Sequence, residues 1–201
     1  MTPELVVLHY TAMESAEAAC RALCDPACEV SAHYLIDEAG AVFQLVAEEM
    51  RAWHAGAGSW RGRDDVNSCS IGIELANTGH TPFAAAQIDA LEELLAAILA
   101  RWSMPAHAVI GHSDMAPTRK IDPGRRFDWC RLSRQGLAVW PRAGRADPSD
   151  FRPAALAFGY PDVADELLLN AFRWRFRPWA KGPLDAVDAG LAQDLAERFA
   201  N

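Results

Sequence analysis

Between Gly111 and Trp129 the chain reads GHSDMAPTRKIDPGRRFDW, which gathers a histidine, three aspartates, a lysine and three arginines into one stretch. Pro117, Pro123 and Gly124 make a regular helix or strand unfavourable there, because proline lacks a backbone donor and fixes its own φ. A long irregular loop so rich in ionisable groups is more often a site than a connection. Two residues outside it share that character. His9 closes the apolar run ELVVLHY at 4–10, and Glu74 interrupts the apolar run CSIGIELA at 69–76. A carboxylate inside a buried strand is costly unless it is paired or used.

His9, His112 and Asp122 together offer two nitrogens and one oxygen. A catalytic zinc needs three protein ligands and an open fourth position, whereas structural zinc is usually closed by four, often with cysteine. Zinc lowers the pKa of its water to about 7. Glu74 could accept that water's proton and pass it to a leaving amine, and Lys120 could stabilise the oxyanion of a tetrahedral intermediate. The parts amount to metal-assisted hydrolysis of an amide or ester. Asp114 and Asp128 rival Asp122 as ligands by proximity alone.

These groups need a scaffold. Residues 4–10 and 69–76 read as buried strands, and 31–46 as two strands joined by a turn at Asp37–Gly40. A helix is expected over 14–24, ended by Asp25-Pro26. Residues 47–67 are glycine-rich and read as a long surface loop. There Trp53, His54 and Trp60 either line a groove or cover the edge of the core. Thr81-Pro82 is a helix-start signal, and Ile88, Leu91, Leu95, Ile98 and Trp102 form the core stripe of an amphipathic helix from about 84 to 102. After Pro105 a strand leads into the central loop. Residues 133–150 lose apolar periodicity and read as a linker or strap. Helical signals then return at Val163–Phe176 and 184–199.

The 201 residues are 51% hydrophobic and 23% charged, as in a soluble globular protein, and the net charge of −8 argues against a nucleic-acid partner. No run approaches the ~18 apolar residues of a membrane span, and MTPELVVLHY has no leader-peptide pattern. Five cysteines suit no disulfide framework. Cys20, Cys24 and Cys28, spaced by four, read with Cys69 and Cys130 as small buried residues in a reducing compartment. A cytoplasmic location is the expectation, with the periplasm as the alternative if a leader has been lost.

HYLID at 33–37, AWHAG at 52–56, SIGIEL at 70–75 and GHSDMAP…RKIDPG…FDW at 111–129 resemble the AmpD-like zinc amidases, the type-two N-acetylmuramoyl-L-alanine amidase family, over residues 4–132. The resemblance implies an α/β domain with a mixed central sheet flanked by helices. It implies zinc held by His9, His112 and Asp122, with Glu74 as general base and Lys120 as transition-state stabiliser. The reaction implied is hydrolysis of the amide joining the lactyl group of N-acetylmuramic acid to L-alanine of the stem peptide. The partners implied are peptidoglycan fragments such as anhydro-muropeptides, or the sacculus. Trp53, His54, Arg63 and Arg119 are the expected substrate contacts, and His80 an exposed loop residue. Tyr10 departs from the Asn that many relatives carry after the first histidine.

The tail, with FGYP at 158–161, AFRWRFRP at 171–178 and GPLDA at 182–186, resembles the three-helix peptidoglycan-binding module of the AmiD-like branch. Its other reading is a helical tail that stabilises the catalytic domain. The expected division is an amidase domain at 1–132, a linker at 133–150 and a small helical module at 151–201. The competing function is a peptidoglycan-recognition protein that holds muropeptide without cutting it. Such proteins typically lack a zinc ligand, and all three candidates are present here.

Overall fold

The apolar runs become a five-stranded sheet in a computed structural model that describes residues 1–200. The strands are β1 (Leu5–Tyr10), β2 (Tyr34–Ile36), β3 (Val42–Gln44), β4 (Ser70–Leu75) and β5 (Val109–Gly111), in the order β3-β2-β4-β1-β5. β2, β4, β1 and β5 run parallel, and β3 closes one edge as an antiparallel hairpin with β2. β1 and β4 are near-continuous apolar runs because central parallel strands are buried on both faces.

Helices cover those faces, as expected of a mixed sheet flanked by helices. Helix α1 (Ala16–Cys24) starts at Ser15, whose hydroxyl accepts from the Ala18 N–H, and it packs Ala19 against Leu35 and Ala76. Their neighbours Ile36 and Leu75 point the other way, into a larger core with Ile88, Leu91, Leu95 and Ile98 of helix α2 (Ala85–Trp102).

Three local expectations are corrected. Helix α2 begins after Ala84, not at Thr81-Pro82, because the carbonyls of Thr81 and Pro82 accept from the Asn77 side chain and hold that segment as a loop. The 111–129 stretch contains one helical turn, α3 (His112–Met115). It is closed where the Gly111 N–H donates to Asp114 Oδ2, ahead of Pro117. Cys24 and Cys28 are exposed and Cys20 and Cys130 half-buried, so only Cys69 lies in the core; all five are free thiols. The reason is that α1 buries only its Ala19 side, and the chain turns away at Asp25-Pro26.

After α4 (Trp129–Arg134), residues 135–147 run without regular structure to three more helices, α5 (Phe151–Phe158), α6 (Asp165–Phe176) and α7 (Ala186–Phe199). Their apolar faces join the same core as the sheet. Trp60 stands edge-on to Phe158 and Tyr160, with ring centres 5.6 and 5.2 Å apart. Arg175 is fully buried, paired with Asp114 at 2.6 Å, donating to the Val109 carbonyl at 2.9 Å and lying over the Trp129 ring. No helix among the described residues is long and apolar enough to cross a membrane.

Candidate active site

Four parallel strands bring their carboxyl ends to one edge of the sheet, where open α/β folds form their crevices. Register does the rest. Leu35 pairs with Glu74 and Glu74 with His9, while Leu8 pairs with Gly111, so His112 follows one step beyond, next to His9. Paired residues of a parallel sheet point to the same face. The row Leu35, Glu74, His9 therefore faces α1. Asp122 arrives from the loop, which folds back where the Ser113 N–H donates to the Asp122 carbonyl at 2.8 Å.

His9 Nδ1 and His112 Nδ1 are 2.9 Å apart, and each is 3.0 Å from Asp122 Oδ2. All three residues are buried. The far nitrogen of His112 donates to the Ala55 carbonyl at 2.8 Å, an acceptor it shares with the Arg119 guanidinium, so its Nδ1 lone pair points inward. Burial, with His112 alongside, lowers His9 to about 4, so the imidazole is neutral at pH 7. One ligand atom from each of the three residues lies close enough to the others to hold a metal ion. They are the one such ligand group among the described residues, and three ligands without a fourth is the pattern of a catalytic metal site.

Glu74 shares a cavity of about 310 Å³ with these three, Lys120 and Tyr10. Burial foremost, then the charge of Asp122, raises Glu74 to about 8 against the opposing pull of Lys120. Its Oε2 is buried with no protein partner. A carboxyl poised near neutrality can both take and return a proton.

Trp53 and Arg119 line the same cavity. Trp53 is 58% exposed at the rim, its ring covered on one side by the Arg51 guanidinium at 3.8 Å. Arg119 spends its donors on the carbonyls of Ala55 and Ala57. His54 lines the cavity too, but both its ring nitrogens bind protein, His9 at 3.0 Å and Ser70 at 3.3 Å. Arg63 does not join the site. The loop doubles back at Trp60 and carries Arg63 beside the start of β1, where it pairs with Glu4 at 2.9 Å. His80 is exposed and outside this cavity. Of the rival aspartates, Asp114 has both oxygens engaged by Gly111, Arg175 and Tyr160, and Asp128 caps α4. Sequence reasoning missed the Ala55 carbonyl, which no side chain advertises, and Ser70 and Gly72. A glycine inside a strand pattern was the available signal for a close approach.

Residues 1–125 match the N-acetylmuramoyl-L-alanine amidase family. The chain is 35% identical to the amidase AmiD of Escherichia coli across 98% of its own length and 83% of that protein. It is 45% identical to the 1,6-anhydro-N-acetylmuramyl-L-alanine amidase AmpD of Enterobacter cloacae across 51% of its length and 55% of that protein. The solved structure of E. coli AmiD with anhydro-N-acetylmuramic acid-L-Ala-D-γ-Glu-L-Lys covers 99% of this chain and 90% of its own, with a TM-score of 0.90 and 33% identity. AmpDh3 of Pseudomonas aeruginosa covers 99% and 93%, with the same TM-score and 34% identity. Site geometry and whole-length likeness lead to one conclusion: the chain belongs to the N-acetylmuramoyl-L-alanine amidase family and is an amidase.

Proposed function

We propose that this enzyme uses zinc to hydrolyse the amide between N-acetylmuramic acid, in its 1,6-anhydro form, and L-alanine of the stem peptide. The observation that carries the reading is the placing of Glu74 in register with His9, beside His112 and Asp122, on the floor of one cleft. Two nitrogens and one carboxylate oxygen in a buried triangle suit zinc. When bound, zinc would polarise the amide carbonyl and acidify water.

The protein's own groups perform the rest. The Glu74 carboxylate takes a proton from the attacking water and delivers it to the alanine nitrogen as the C–N bond breaks. Lys120, in the same cavity, faces the negative charge that grows on the carbonyl oxygen. Trp53 and Arg119 stand at the rim, where sugar or peptide would pass. Solved relatives hold ligands of this class, an anhydro-muramyl tripeptide in AmiD and an anhydromuramic pentapeptide in AmpDh3.

We assign residues 151–200 a structural role in completing the catalytic domain; the shared core and the buried Arg175–Asp114 pair support this reading. The test is a zinc-dependent digest of a soluble anhydro-muropeptide and of purified sacculi, read by mass spectrometry. Cleavage of the soluble substrate alone is the expected result and fits a recycling enzyme of the cytoplasm. Release from sacculi as well would make the tail a wall-binding module. No cleavage of either, with zinc present, would leave a muropeptide-binding protein.

A further inference from the structure

His9 and His112 differ in how their orientation is set. His112 donates its outer N–H to a backbone carbonyl, which can only accept. His9 instead presents Nε2 to a second imidazole, with His54 Nδ1 at 3.0 Å, and either ring could hold the proton between them.

The choice is made one residue further out. Ser70 donates its hydroxyl hydrogen to the Val66 carbonyl at 2.6 Å, so its oxygen is left to accept. That oxygen stands 3.3 Å from His54 Nε2. His54 accordingly carries its proton on Nε2 and offers a bare Nδ1. His9 must then donate from Nε2, which leaves its Nδ1 lone pair facing His112 and Asp122.

The neighbours hold His54 to this task. Ser70, Gly72 and Glu74 share one face of β4, and a Cβ at Gly72 would lie 2.3 Å from His54 Cγ, so the ring needs glycine beneath it. His33 stands 5.7 Å away but supplies no competing bond. Its Nδ1 accepts from the Gly72 N–H, and its Nε2 donates to the Met50 carbonyl.

We propose that His54, seated on Gly72 and oriented by Ser70, is a positioning residue that fixes His9 in the tautomer able to bind a metal. A one-way chain of hydrogen bonds ending at the Val66 carbonyl imposes that tautomer before any metal arrives. The proposal rests on the reading of His9, His112 and Asp122 as the zinc centre.

The test uses the full chain and three variants, His54→Asn, His54→Leu and Gly72→Ala. Zinc affinity is measured by competition with a chromophoric chelator. Imidazole 15N shifts of the zinc-free protein report which nitrogen of His9 carries the proton. The parent is expected to show His9 protonated on Nε2. His54→Leu and Gly72→Ala are expected to bind zinc about 10- to 100-fold more weakly and to show mixed tautomers. His54→Asn keeps an acceptor near the Nδ1 position and is expected to stay within a few-fold of the parent. A merely structural His54 would lower the thermal midpoint of the variants without moving zinc affinity or tautomer. The proposal is overturned if the zinc-free parent carries the His9 proton on Nδ1, or if His54→Leu binds zinc as tightly as the parent. A parent that binds no zinc would sink the metal-centre reading, and the 15N spectrum would still decide the His9 tautomer.

Discussion

Glu74 pays for its place in β4 with a desolvated carboxyl and an oxygen that nothing in the protein satisfies. Its isostere Gln keeps the shape and stays neutral in the buried site. We therefore expect Glu74→Gln to fold at least as stably and bind as much zinc, with kcat down by about 10²–10⁴-fold. Turnover of an anhydro-muropeptide, metal analysis and a melting curve check all three points. Lys120→Met should cost about 10²–10³-fold in kcat, with KM little changed, if the ammonium serves the developing oxyanion. His9, Glu74 and Asp122 were legible in the sequence because each is out of character with its surroundings, two polar groups in apolar runs and one acid before a proline in a crowded loop. Arg63 looked equally suitable by type. Only the reversal of the loop at Trp60 removes it, and that reversal depends on packing against α5 and the segment after it.

At the scale of elements, the hairpin edge is fastened to α2 by one carboxylate. Glu48, buried in the loop after β3, accepts from the Tyr34 hydroxyl at 2.6 Å and from Arg101 and the Trp102 indole at the end of α2. Burial raises the Glu48 carboxyl, but those donors outweigh it and hold it below its ordinary 4.5. A depressed folded-state value means that the ionised form stabilises the fold. That contribution is complete above the unfolded pKa and is lost as pH falls through the folded one. Glu48→Gln should therefore melt below the parent at pH 7, by about 1–3 kcal/mol, and the gap should close as pH falls below 4.5. Melting curves from pH 7 to 3 measure it. The long elements were readable from periodicity alone, β1 and β4 as apolar runs and α2 from its stripe. The hairpin of β2 and β3 was legible too, whereas the start of α2 was not, because the side-chain bonds of Asn77 set it and leave no periodic trace.

For the whole molecule, the sequence suggested a domain, a linker and a module, but the interior is continuous. AFRWRFRP carries three arginines, yet Arg175 is only 2% exposed. The partner that permits this, Asp114, lies far off in sequence, and long-range pairs leave no local signature. Removing one member of a buried ion pair strands the other, so Arg175→Ala should cost about 3–5 kcal/mol. Calorimetry of the parent should show a single transition in place of two, and the variant one transition at lower temperature.

Asp114 sits two residues after His112 on the same helical turn, and its carboxylate is gripped by Arg175 from 61 positions along the chain and by the Tyr160 hydroxyl. Random mutagenesis scored on catalysis alone would thus return positions 160 and 175 beside 9, 112 and 122, although neither lines the cleft. Inherited variation in the tail is constrained in the same way. Drift in α6 would register as lost turnover, although α6 lies outside the cleft.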